Sequence, residues 1–97
     1  MNAGSGIGPS GAARPRLAPH VRLSFDARRA RWVVIAPERL LLPDETAVEV
    51  LRRCNGDASL DDITADLARA FDADRDEIAR DVGALLRDLG DKGIIVA

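Results

Sequence analysis

The sequence has 97 residues, 46% of them hydrophobic and 31% charged, which suits one water-soluble domain with a modest core. Aromatics contribute only 3%, so Leu, Ile, Val and Ala must fill that core, and no apolar run is long enough to cross a membrane. A net charge of −2 argues against nucleic acid as a partner, the N-terminus lacks the apolar stretch of a secretion signal, and the lone Cys54 excludes an internal disulfide and fits a reducing, cytoplasmic setting.

Residues 1–14 are dominated by Gly, Ser, Ala and Pro and show no period. They read as a disordered tail or flexible linker, compatible with fusion to, or association with, another pathway enzyme, ahead of a folded domain over 15–97. Arg14 to Pro19, with two prolines, should be extended. From His20 to Asp26 the chain alternates, with Val21, Leu23 and Phe25 on one face and Arg22 and Ser24 on the other, the period of a half-buried strand. Ala27 to Ala30 is a turn without Asn-Gly. Trp32 to Ala36 forms a second strand, ended by Pro37, which has no N–H for a ladder. Leu40 to Leu42 is a third, very short strand that Pro43 stops.

The rest reads as helix. Asp44 is a good N-cap for a helix to about Cys54, with Ala47, Val50, Leu51 and Cys54 at helical spacing and Asn55-Gly56 at its end. Ser59 and Asp62 resemble a capping box before a helix from Leu60 to Phe71, whose apolar face is Leu60, Ile63, Leu67 and Phe71. Asp74 and Glu77 repeat that signature for a third helix, Arg75 to Gly90, lined by Ile78, Val82, Leu85, Leu86 and Leu89. Lys92-Gly93 breaks it, and Ile94 to Val96 suits a terminal strand. Three strands followed by three helices are segregated, so the fold class is α+β; the helical half also resembles a helix-turn-helix core with a wing.

Charge is segregated as well. From Arg14 to Arg39 seven Arg face two acids, a net of +5; from Asp44 to Lys92 fourteen acids face seven bases, a net of −7. A basic strand region of this kind attracts an acidic segment of a partner.

Nothing in the sequence supports catalysis. His20, the only histidine, has no Cys or second His at metal-ligand spacing. Cys54 lies on an apolar helix stripe, where a thiol behaves as a small hydrophobe. Asp72, Asp74, Asp76 and Glu77 alternate as in a calcium loop but lack its central Gly and closing Glu, and a helix cap accounts for Asp74 and Glu77. Two features stand out. Gly83 sits mid-helix, where it costs about 1 kcal/mol relative to Ala; it serves either tight helix packing or close approach by a partner. The third strand has three consecutive leucines, so both its faces are apolar and one must be covered or bind.

The run Arg39-Leu-Leu-Leu-Pro-Asp-Glu-Thr-Ala, with Val50-Leu51, Cys54-Asn55-Gly56, Ser59-Leu-Asp-Asp-Ile, Asp81-Val82, Leu85-Leu86, Leu89 and Lys92-Gly93-Ile94, resembles the PqqD family over about residues 15–96. These are the peptide chaperones of pyrroloquinoline quinone biosynthesis, within the recognition domains that bind leader peptides of ribosomally made, modified peptides. The resemblance implies a winged-helix-like fold, with a three-stranded antiparallel sheet against three helices. It implies that the precursor peptide, PqqA, adds as a strand to the edge of the third strand beside helix three, for presentation to the radical SAM enzyme PqqE. It implies no cofactor and no reaction of the domain's own. On this view Arg39, Leu40, Leu41 and Leu42 supply the backbone edge and apolar contact, and Ala79, Val82, Gly83 and Leu86 the wall on helix three. Val82 and Leu86 also fit the core, Val82 most of all. Leu41→Pro would then delete a backbone donor from the edge.

Two rivals remain. In a winged-helix DNA binder helix three would face phosphate, yet Asp74 to Lys92 holds six acids and four bases. The other is a scaffold module that binds a folded protein.

Overall fold

The computed structural model describes residues 11–97. Two short antiparallel strand groups and three helices alternate with tight turns: β1 (Arg16–Leu17), β2 (Arg22–Asp26), β3 (Arg31–Ala36), β4 (Arg39–Leu41), α1 (Glu45–Arg53), α2 (Leu60–Phe71), α3 (Arg75–Asp91) and β5 (Ile95–Val96). The α+β class and the order of three strands and three helices are as expected from the sequence.

The main sheet has the order β2-β3-β4, with Leu23 opposite Val34 and Val34 opposite Leu41. Period-two alternation sends these three side chains to the core face, where Val34 is buried and Leu23, Ala36 and Leu41 pack against the cluster. The β2–β3 turn has no Asn-Gly because Asp26 shapes it: its carboxylate accepts hydrogen bonds from the N–H groups of Arg28 and Arg29. Ala30 completes the turn at φ 54°, a left-handed conformation that costs a residue with a β-carbon roughly 1–2 kcal/mol. The hydrogen bond from the Arg29 guanidinium holds the Asp26 carboxyl below the usual carboxylate range.

All three helix starts carry the expected caps. Asp44 accepts from Ala47 N at 2.8 Å, Ser59 and Asp62 form a reciprocal capping box, and Asp74 accepts from Glu77 N at 3.0 Å. Each side chain satisfies an amide that the helix itself leaves unpaired. Past α1, the turn uses Gly56 at φ 84°, and the Asn55 side chain accepts from the N–H groups of Asp57 and Ala58. Arg53 joins α1 to α2, donating to Glu49 at 2.8 Å and to Asp66 at 2.6 Å, and its hydrogen bond lowers the Asp66 pKa.

The core is one cluster of Val21, Val34, Val50, Leu51, Cys54, Leu60, Ile63, Leu67, Val82, Leu86, Leu89, Ile94 and Ile95. Trp32 sits half-buried at its margin, edge-on to Phe25 with centroids 5.6 Å apart and under the Arg52 guanidinium at 5.7 Å. That cation–π placement gives the only Trp a polar cover as well as a packing role.

The structure adds a feature absent from the sequence reading. The extended segment before the main sheet holds β1, which pairs with β5, Arg16 opposite Val96 and Leu17 opposite Ile95. Residues 11–14, assigned above to the tail, run along the start of α2: the N–H of Leu60 donates to Ala13 O at 2.7 Å and that of Asp61 to Gly11 O at 3.1 Å. Arg14 reaches the Asp57 carbonyl, and Pro15 is fully buried. The segment thus supplies acceptors for the N-terminal amides of α2. The remainder of the expected tail, residues 1–10, lies outside the described residues.

Candidate functional site

The stretch that matters begins with the β3–β4 hairpin. Pro37 and Glu38 form its two-residue turn, with Ala36 opposite Arg39. A hairpin of this length closes on a hydrogen-bonded pair, and antiparallel pairs alternate. Ala36/Arg39 and Val34/Leu41 therefore use their backbone groups within the hairpin, and the N–H and C=O of Leu40 point outward. β4 is an edge of the sheet, so among the described residues no strand meets them. A proline at Leu41 would break the hairpin itself, so Leu40 is the position at which to test the edge.

Side chains divide the same way. Leu41 turns to the core, half-buried, whereas Leu40 and Leu42 are 47% and 49% exposed. Arg39 is exposed at the head of the strand. Arg22, Arg28 and Arg39 have no acidic partner among the described residues, so the positive charge of the strand region stays unneutralised.

The four expected positions on α3 do not form one wall. Val82 and Leu86, at 2% and 1% exposure, are core residues that no ligand on the surface reaches. Helical phase puts Ala79 and Gly83 on another flank, where with Leu60 and Thr64 of α2 they line a crevice of about 420 Å³. The opposite flank of α3 carries Ile78 and Leu85, half-buried and packed against the core along with Leu41. Sequence reasoning placed both on the apolar stripe of α3 but outside the expected wall. At 100° per residue, 78 and 85 fall on the side of 82 away from 79 and 83, so the signal was there, but it has meaning only once α2 is placed.

The remaining chemistry is bare. Among the described residues no group of three or more His, Cys, Asp or Glu is arranged to hold a metal ion. The Cys54 thiol is buried and lies 3.3 Å from the Val50 carbonyl; burial pushes its pKa up to about 12. Folded protein at mildly alkaline pH is therefore expected to react negligibly with a thiol reagent, and denatured protein to react stoichiometrically, as read by absorbance with Ellman's reagent. Fast labelling of the native state would contradict the burial.

Fold and edge together define a small α+β recognition-type domain whose main sheet leaves the outer edge of β4 unpaired among the described residues. This architecture is shared with solved structures. The solution structure of the PqqD truncation of Methylobacterium extorquens PqqCD, a stand-alone recognition element for ribosomally synthesized and modified peptides, superposes with a TM-score of 0.77 at 36% identity, covering 91% of this chain and 94% of that one. A lasso peptide synthetase B1 complexed with leader peptide shares the fold at 21% identity, with a TM-score of 0.74, covering 88% of this chain and 100% of that one. A PqqA binding protein of Rhodopseudomonas palustris is 52% identical over 89 residues, 92% of this chain and 87% of the relative. One from Xanthomonas oryzae is 42% identical over 82 residues, 84% and 89% respectively. The family described as coenzyme PQQ synthesis protein D (PqqD) matches residues 31–95, and the chain belongs to that family.

Proposed function

We propose that this domain is a peptide chaperone of pyrroloquinoline quinone biosynthesis: it binds the precursor peptide PqqA as an added strand on the outer edge of β4 and presents it to the radical SAM enzyme PqqE. The observation that carries this reading is the open Leu40 backbone between two outward leucines, Leu40 and Leu42. Strand addition draws affinity from such backbone groups and selectivity from neighbouring side chains. The Ile78 and Leu85 flank of α3 forms the apolar wall on the core side, in place of Ala79, Val82, Gly83 and Leu86. Relatives that share half of this sequence carry the name PqqA binding protein, which supports the choice of ligand. Unpaired Arg22, Arg28 and Arg39 favour an acidic segment of the peptide by steering, a contribution felt in the association rate more than in affinity. The domain uses no cofactor, catalyses nothing itself and acts in the cytoplasm; among the described residues no helix is long and apolar enough to cross a membrane.

Titration of the labelled domain with PqqA, read by amide chemical shifts, tests this. The largest shifts are expected at Arg39 to Leu42, Ile78 and Leu85, with protection of the Leu40 amide from exchange. Unchanged Leu40 to Leu42 amides at saturation would refute strand addition.

A further inference from the structure

We propose that the crevice between α2 and α3 is a second docking surface, which seats an acidic segment of the modifying enzyme; this rests on the reading that the domain presents its peptide to such an enzyme. The crevice has a floor of Leu60, Thr64, Ala79 and Gly83 and a rim that includes Arg80 and Arg87.

Gly83 is the first observation. A glycine in mid-helix weakens the helix, and tight packing against α2 would explain its presence. The geometry removes that explanation. A β-carbon at position 83 would meet only the Nη1 of Arg87, at 3.4 Å, and no atom of α2 within 4 Å. What covers Gly83 is the guanidinium end of a flexible side chain, which can swing away. The glycine keeps open a floor that no part of the described fold fills.

Charge is the second. Arg80 and Arg87 have no ion-pair partner among the described residues, although the helical half as a whole is acidic. They stand seven residues apart on one side of α3, about 10 Å along the axis. Carboxylates on one face of an extended segment fall two or four residues apart, about 7 or 13 Å at ~3.3 Å per residue, a range that two long Arg side chains bridge. At the other rim Asp61 is partly offset by Arg75, whose Nη2 lies 3.9 Å away. Arg80 and Arg87 thus bring two guanidinium groups without an ion-pair partner to a small-residue floor, with Asp76 and Asp91 one turn beyond them at either end of the stripe. The crevice suits a short acidic segment that reaches the two arginines and lays a small side chain against Gly83. It occupies the flank of α3 away from Ile78 and Leu85, so peptide and enzyme need not compete.

The test is calorimetric titration of the full chain with two probes separately, PqqE and the PqqA peptide. The double variant R80E/R87E is expected to bind PqqE at least about tenfold more weakly, with the wild-type affinity itself falling as salt rises, and to bind PqqA as wild type does. Gly83→Met, which fills the floor without altering charge, should also weaken PqqE binding and leave PqqA binding intact. The proposal is overturned if R80E/R87E binds PqqE with wild-type affinity, if either variant loses both ligands together, or if wild type fails to bind PqqE. It is also overturned if deletion of residues 2–10 shifts the Gly83 and Arg87 amides, since the chain's own N-terminus would then be the occupant. Loss of PqqA binding by wild type would instead refute strand addition, and the PqqE titration would still judge the crevice.

Discussion

Leu40→Pro is expected to weaken PqqA binding by roughly tenfold to more than a hundredfold while leaving the circular dichroism spectrum native. The proline removes the outward N–H of β4, and an unmade hydrogen bond at a desolvated contact costs about 1–3 kcal/mol. The fold should tolerate it, because a sheet accepts proline on an edge strand where the missing N–H faces away from the ladder. The Leu40 side chain is already 47% exposed, so little packing is lost. Leu41→Pro makes the control. Its N–H belongs to the pair with Val34, and its side chain packs against the core, so that variant should lose native structure first. Native-like peptide binding by Leu40→Pro would mean that the ligand does not use this edge.

Leu86→Ala is expected to lower unfolding stability by about 2–5 kcal/mol, the range for truncating a buried Leu. For a domain of this size that corresponds to a fall in melting temperature of roughly 10 °C or more. The reason is position: Leu86 is 1% exposed and lies in the cluster with Ile63, Leu67 and Ile94. Ala79→Ser, on the exposed part of the same helix, should change stability little. If Leu86→Ala instead kept wild-type stability and lost peptide binding, Leu86 would be a contact residue and its place in the core would be wrong. Peptide affinity should therefore be measured well below the variant's transition, where its folded fraction binds normally.

These two variants mark where the sequence was legible. Leu40 and its neighbours were identifiable as a short strand with two apolar faces, because period two, Pro37 and Pro43 are local signals. Which leucine turns inward was not, since register depends on how Ala36 meets Arg39 across a turn. On α3 the apolar stripe was plain, yet Ala79, Val82, Gly83 and Leu86 were grouped as one wall. Spacing alone reports that residues share a side of a helix within a broad arc; it does not say where α2 cuts that arc. The structure splits the group into two core residues and two that line the α2 crevice, and brings Ile78 and Leu85 forward.

By itself the sequence determined the α+β class and the three helices with their Asp44, Ser59 and Asp74 caps. Each follows from interactions within a few residues: side-chain period and capping reach. Only the tertiary structure decided that Arg16–Leu17 pairs with Ile95–Val96, that residues 11–14 cap α2, and that β4 leaves its edge open. The first two depend on contacts between segments far apart in the chain, and the two-residue β1 and β5 carry no period of their own and form only because the core brings them together; the third depends on whether any distant segment covers β4.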